Sequence, residues 1–266
     1  MPISDQTTWT DDDVLDAAAQ WSWVPEGSRV AEGELTIIQR PAWVGGHVAV
    51  ERTPRGRAAA QLVDEAVAVA REWGDVALEW ALADRDDPTV AAELEARGAT
   101  VIERLDVLAR PLPADPAPSA PGVSTRRVAS REDVIAIGAI NAAVWGNALP
   151  SEERIAQVLE EERRGAADGT GFRVLATLDG DVVSTGGVTL APGPRGTVAR
   201  LWGAATLEGA RGRGAYLAVL AERLRLSAEH GATLALVKGR IATSAPILAR
   251  AGFRRVGGER RFRLPL

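Results

Sequence analysis

The sequence predicts an α/β protein of helices and a β-sheet, and three observations lead to this prediction. Strand and helix patterns alternate through residues 123–266. The Asp179-Gly180 pair marks a hairpin between two strand patterns. A glycine- and arginine-rich loop stands directly before a long apolar helix. Because such helices must bury one face, we expect them to pack against the sheet.

The elements of residues 123–266 follow one another in a clear order. Ser130 and Ser151 are expected to cap two helices, because serine accepts a hydrogen bond from the first free N–H groups. Gly231 is expected to end the long helix. The predicted elements are a strand at 122–129, helices at 131–145 and 151–166, a strand pair at 172–192, a strand at 196–207, a helix at 215–230, a strand at 232–239, a short helix at 244–252, and two paired strands at 253–257 and 260–266.

The first half of the chain repeats the end of this order. Residues 55–57 read Arg-Gly-Arg and align with residues 211–213 at a spacing of 156 residues. The helix and strand patterns after each loop align as well, which indicates a duplicated unit. The proline-rich segment at 109–122 is predicted to be a stiff linker. We therefore predict a partial, degenerate unit at 1–110, the linker at 111–122 and a complete domain at 123–266.

Composition excludes several kinds of chemistry. The chain of 266 residues has no cysteine, which rules out disulfides, thiolate metal sites and a cysteine nucleophile. Histidine occurs only at His47 and His230, so no metal site is expected. The polar N-terminus does not resemble a signal peptide, and no apolar run approaches the roughly 20 residues of a membrane span. We therefore expect a cytoplasmic protein that does not bind membranes.

Charge is divided unevenly along the chain. Residues 1–120 carry 10 arginines and 22 acidic residues, a net charge of −12, whereas residues 121–266 carry a net charge of +7. Either the halves attract each other, or the basic half handles a polyanion. Arginines near the C-terminus alternate with apolar residues, as on a solvated strand face. We therefore expect no nucleic-acid partner.

The loop at 211–216, Arg-Gly-Arg-Gly-Ala-Tyr, is predicted to hold a pyrophosphate. Glycines before a helix expose backbone N–H groups at the positive end of the helix dipole, and arginines add charge. A P-loop is excluded because the required lysine is missing. A dinucleotide fingerprint is excluded because Leu217 stands in place of its last glycine.

This loop resembles the signature of the GNAT superfamily of acetyl-CoA-dependent N-acetyltransferases, and residues 244–253, SAPILARAGF, resemble the second motif of that family. The resemblance covers nearly all of 123–266. It implies the GNAT fold, a mixed and mostly antiparallel sheet flanked by helices, here preceded by a partial GNAT-like repeat. It assigns acetyl-CoA contacts to Ala205, Thr206 and Leu207 at the end of the central strand and to Arg211, Gly212, Arg213, Gly214, Ala215 and Tyr216 in the loop.

The resemblance also implies direct attack of an amine on the thioester, with a backbone N–H stabilising the oxyanion. The tyrosine that protonates the leaving thiolate in many relatives is replaced by Leu248, and Ser244 is either a weak substitute or a helix cap. Trp145 and Trp202 are either walls of the acceptor site or core residues. Tyr216 either covers the cofactor or packs against the sheet. No general base is evident from the sequence.

The expected reaction is therefore acetyl transfer to the amine of a small molecule, by a monomer or a homodimer. Two alternatives remain open: a non-catalytic acyl-CoA sensor, and an acetyltransferase acting on proteins or peptides. In the first copy of the loop, Ala58 replaces Gly214. A methyl group at the position of close approach, in an acidic half, predicts that only the second copy binds CoA.

Overall fold

The computed structural model describes residues 8–31, 33–115 and 120–266. The polar N-terminus up to residue 7 and part of the predicted linker, residues 116–119, lie outside the described residues. The α-helices are α1 Asp11–Ala19, α2 Ala59–Glu72, α3 Pro88–Ala96, α4 Arg131–Trp145, α5 Glu152–Asp168, α6 Ala215–Glu229 and α7 Ser244–Arg250. Within the described residues, no helix has both the length and the apolar character needed to cross a membrane.

The strands are β1 Arg29–Val30, β2 Thr36–Gln39, β3 Val48–Arg52, β4 Ala77–Ala83, β5 Thr100–Pro111, β6 Val123–Arg127, β7 Gly171–Leu178, β8 Asp181–Gly193, β9 Gly196–Thr206, β10 Ala232–Arg240 and β11 Arg254–Pro265. The chain forms two compact units. Among the described residues, one unit contains 8–17, 108–115, 120–237 and 248–254, and the other contains 18–31, 33–107, 238–247 and 255–266.

The unit that contains α4, α5 and α6 has strands in the order β10-β9-β8-β7-β6. The pairs from β6 to β9 are antiparallel, whereas β9 and β10 are parallel and are connected through α6. This parallel pair needs a crossover helix, which explains the long helix between them. α4 and α5 pack together on one cluster of apolar side chains, Val128, Val134, Ile137, Ile155, Val158 and Leu175.

The other unit has strands in the order β1-β2-β3-β4-β11-β5. Here β3 and β4 form the parallel pair and α2 connects them, so the order of strand, helix and parallel strand is the same as in β9, α6 and β10. Its core contains Trp80, Phe262, Leu78 and Leu94. The indole Nε1 of the buried Trp80 donates to Thr53 Oγ1 at 2.9 Å, which satisfies its polar atom.

The predicted helix caps are present. Ser130 Oγ accepts from Asp133 N at 3.2 Å, and the Asp133 carboxylate accepts from Ser130 N at 3.2 Å, which forms a capping box before α4. Ser151 Oγ accepts from Arg154 N before α5. Local sequence therefore determines where both helices begin.

The prediction of two paired strands at the C-terminus was wrong, because β11 is one continuous strand. The predicted strands ended at Gly257 and began again at Arg260. Gly258 instead lies against Asp84: its carbonyl oxygen accepts from Asp84 N at 2.9 Å, and an added Cβ would lie 2.7 Å from Asp84 Oδ2. The glycine therefore provides room for a neighbouring carboxylate within an extended strand.

Candidate active site

Strand β9 contains a bulge at Gly203 and Ala204. Trp202 pairs with Gly187 of β8, and the next pair joins Ala205 to Thr185, so two residues of β9 face one residue of β8. Gly203 has φ +63°, the left-handed conformation that glycine adopts at bulges of this kind. The bulge lies immediately after the stretch of β9 that pairs with β10.

Beyond the bulge, one edge of β9 has no strand pairing among the described residues. The register with β10 ends at the pair Leu201 and Val237, whereas β9 continues to Thr206. Residues 202, 205 and 206 pair with β8 on their other side, and residues 203 and 204 form the bulge between them. Their outward N–H and C=O groups are therefore available to an extended ligand, in the way that a sheet edge accepts another strand.

The loop before α6 exposes backbone N–H groups. Gly212 and Gly214 have φ +74° and +89°, and the first bond of the helix runs from Ala218 N to Gly214 O. The N–H groups of residues 215–217 precede that bond and have no partner within the helix. An added Cβ at Gly212 would meet nothing within 4 Å. The loop therefore has the donors and the open space that an anion requires.

The two loop arginines have different surroundings. Arg211 is exposed and forms no ion pair with any described residue. Arg213 Nη2 lies 2.9 Å from Asp179 Oδ2 in the hairpin turn between β7 and β8. Arg211 is thus the better available cation for an anionic ligand.

Gly214 also leaves room for the end of the predicted linker, in addition to its left-handed conformation in the loop. An added Cβ there would lie 2.4 Å from the Cβ of Ala120, at the end of the predicted linker. A side chain at this position would therefore displace the linker as well as strain the loop, so Gly214 is a poor site for testing ligand binding alone.

Tyr216 is largely buried, which favours the packing interpretation of this residue. Burial raises the pKa of its phenol, and the Arg223 guanidinium opposes that rise. Tyr216 and Arg223 lie two turns apart on the same face of α6. The backbone of Tyr216 remains part of the loop.

The ring of Trp202 lies against Gly187 of β8. Its indole Nε1 donates to Thr189 Oγ1 at 3.0 Å, and an added Cβ at Gly187 would be 2.4 Å from the ring. The guanidinium of Arg173 lies 5.0 Å from the ring centre. Trp145 is 39% exposed at the end of α4, a helix that packs on β8 and β9. Both tryptophans are partly accessible to solvent, as acceptor walls require, and that role remains a prediction.

Ser244 belongs to the other unit. Its Oγ accepts from Arg240 N at 2.9 Å, so the hydroxyl holds the turn between β10 and α7. Leu248, at the position of the missing tyrosine, is buried. The hydrogen bond from Arg240 N favours a structural role for Ser244.

The first copy of the loop differs in conformation from the second. Ala58 has φ −63° and ψ 131°, whereas the equivalent Gly214 is left-handed. Arg57 lies 2.8 Å from Glu65 and 3.5 Å from Glu34, so its charge is already neutralised. Neither the backbone nor the charge of this loop favours a phosphate.

Arg223 was not predicted from the sequence, and it is only 2% exposed on α6. Its Nη1 donates to the carbonyl oxygens of Gly187 and Trp202 at 3.3 and 3.5 Å. Two features of the sequence could have indicated this buried arginine: its position on the apolar face of a helix, and the Gly186-Gly187 pair in a strand.

Comparison with known proteins shows the fold. A GCN5-related N-acetyltransferase from Kribbella flavida is 22% identical, with a TM-score of 0.65 over 90% of each chain. One from Sphaerobacter thermophilus is 18% identical, with a TM-score of 0.65 over 86% of this chain and 75% of that one. A tandem GNAT protein from the clavulanic acid biosynthesis pathway is 15% identical, with a TM-score of 0.65 over 94% of this chain and 87% of that one.

No family model and no curated protein matches the sequence. The likeness is therefore one of structure: the chain has the GNAT fold, as the loop and the order of its elements predicted.

Proposed function

We propose that this chain is an N-acetyltransferase that moves an acetyl group from acetyl-CoA to the amine of a small molecule. The observation that carries the proposal is the combination, within one compact unit, of the open β9 edge beyond the bulge and the glycine loop at the start of α6. The edge suits an extended amide-containing chain and the loop suits a pyrophosphate, and CoA contains both groups.

The proposal assigns each part of the cosubstrate to residues of this unit. The N–H groups of residues 215–217 and the Arg211 guanidinium would hold the pyrophosphate. Backbone groups of Ala205, Thr206 and Leu207 would bond the pantetheine amides. Gly203 would present its N–H to the thioester carbonyl oxygen, because the bulge turns this residue out of the regular ladder.

In the proposed reaction the neutral amine attacks the thioester carbon directly. The new C–N bond forms, the C–S bond breaks, the amine loses a proton to water, and the CoA thiolate takes a proton from water. The Gly203 N–H stabilises the negative charge that develops on the carbonyl oxygen, a contribution worth about 100- to 1,000-fold in rate in other enzymes. No covalent intermediate on the protein is required.

The acceptor would lie near Trp202 and Trp145. The face of the sheet that carries Trp202 on β9 also carries Arg173 on β7, which is paired with Glu161 at 2.9 Å and with Glu162. A small amine would be held there by aromatic contact. The alternative of a non-catalytic acyl-CoA sensor draws support from the buried Leu248, which cannot donate a proton. An acceptor amine on a protein or peptide is the other alternative.

Two measurements test the proposal. Calorimetric titration with CoA measures binding, and release of free thiol from acetyl-CoA in the presence of a panel of small amines and peptides measures transfer. Binding and amine-dependent thiol release are expected together. Binding without release from any acceptor would favour the sensor, and absence of binding would refute both functions.

One CoA is expected to bind per chain. The physical reason is the conformation of Ala58 and the neutralised charge of Arg57 in the first loop. The stoichiometry from the same titration checks this expectation. A value near two, or strong residual binding after the second loop has been disabled, would contradict it.

Replacing Ser244 by alanine is expected to cost about 1 kcal/mol of folding free energy, because one hydrogen bond to Arg240 N is lost. The turnover of the folded protein should not change. Urea unfolding and initial rates measure the two effects, with Thr243→Ala as the neighbouring control. A large fall in kcat at unchanged CoA affinity would instead show that Ser244 assists departure of the thiolate.

A further inference from the structure

Arg223 is a buried cation without an acidic partner. The residue is 2% exposed, and no described carboxylate forms an ion pair with it. Its Nε has no hydrogen-bond partner. The side chain fits beside β8 because position 186 is glycine, where an added Cβ would lie 2.9 Å from the guanidinium. Burial lowers the pKa of Arg223 to about 10, which still leaves it charged at neutral pH.

This charge lies beside the bulge. Nη1 donates to Gly187 O at 3.3 Å and to Trp202 O at 3.5 Å, and Trp202 is the residue immediately before Gly203. Since one nitrogen reaches a carbonyl of β8 and the carbonyl of Trp202, the latter faces the β8 side of β9. A trans peptide directs its C=O and N–H groups to opposite sides. The Gly203 N–H therefore points to the open edge of β9.

A cation bound to a peptide carbonyl strengthens the N–H of the same peptide as a donor, because hydrogen bonds in series polarise one another. We propose that Arg223 is a positioning residue that fixes and polarises the Trp202–Gly203 peptide, so that the Gly203 N–H stabilises the developing oxyanion. This inference rests on the proposed acyl transfer and adds to it the residue behind the oxyanion donor.

Energetics separate this role from a purely structural one. A buried charge without an acidic partner is unfavourable, and replacement by an apolar side chain of similar length is often neutral or stabilising. If Arg223 had only a structural role, its replacement would lower the stability of the fold. If it is a positioning residue, its replacement should lower kcat, while the fold stays as stable or becomes more stable.

The test uses the full chain with Arg223→Met and Arg223→Lys, and Arg225→Met as a control on the exposed side of the same helix. We expect Arg223→Met to lower kcat about 10- to 100-fold, less than the roughly 100- to 1,000-fold known for removal of an oxyanion donor, because the Gly203 N–H itself remains. KM for acetyl-CoA and the Tm should stay close to wild type, or the Tm should rise. Arg223→Lys should recover part of kcat, and Arg225→Met should match wild type.

Two spectroscopic readouts do not depend on turnover. The amide proton of Gly203 in labelled protein should move upfield in Arg223→Met, and the thioester carbonyl stretch of bound acetyl-CoA should return toward its value in water. An unchanged Gly203 amide, an unchanged kcat, or a fall in kcat that follows a fall in Tm would each overturn the proposal. If the wild type binds acetyl-CoA but acetylates nothing, the proposed function fails, while the amide and the carbonyl stretch still decide the role of Arg223.

Discussion

Replacing Gly203 by valine is expected to lower kcat about 100-fold, since the variant loses the oxyanion donor. Gly203 has φ +63°, a conformation that a β-branched residue avoids, so the bulge should relax and turn the N–H away from the open edge. An added Cβ would meet no atom within 4 Å, so a clash is not the cause. Initial rates at saturating acetyl-CoA measure the effect, and a thermal melt checks folding.

Gly203→Asn is the matched control. Asparagine is similar in size to valine but tolerates the left-handed conformation, so this variant should keep most of the activity. Equal losses in both variants would mean that bulk in the cleft, rather than backbone conformation, is responsible. Full activity in the valine variant would show that the bulge has no part in the reaction.

Charge reversal at Arg211 is expected to weaken CoA binding about 10- to 100-fold, roughly 1.4–2.8 kcal/mol. Arg211 is exposed and forms no ion pair with a described residue, so Arg211→Glu breaks no internal contact and places a negative charge beside the phosphates. The loss should shrink as salt is added, because exposed charges are screened. Calorimetric titration at two ionic strengths measures both effects.

Arg164→Glu changes the net charge equally at an exposed position of α5 and controls for the field of the whole protein. It should leave the CoA affinity nearly unchanged. Arg213→Glu should have a smaller effect than Arg211→Glu, because Asp179 already binds its guanidinium. Similar losses from Arg211→Glu and Arg164→Glu would indicate that the loop is not the binding site.

Local sequence was sufficient to predict much of the fold. Ser130 and Ser151 begin their helices, and Asp179-Gly180 turns the hairpin with φ values of +54° and +100°. These features depend on residues a few positions apart, so the signal is contained in a short window. The same holds for the glycine loop before α6, from which the fold was first identified.

Contacts between distant positions were not predictable in this way. β11 was predicted as two strands because nothing near Gly258 in the sequence indicates Asp84, 174 positions earlier. Arg223 was overlooked because its partners are backbone carbonyl groups on two strands. Every residue has such a group, so the sequence does not indicate which ones bind the arginine. The shape of the acceptor site likewise depends on several side chains that come together from distant positions of the chain.

Gly186 and Gly187 also limit how this protein can change. Arg223 occupies the space of a missing Cβ at the first position, and the Trp202 indole occupies that of the second. Any larger residue at position 187 is therefore blocked while Trp202 is present, and a smaller residue at 202 leaves a gap directly above bare backbone. Positions 187 and 202 are thus coupled: selection or design for a different acceptor has to change both residues. A variant changed at only one of them would be poorly packed.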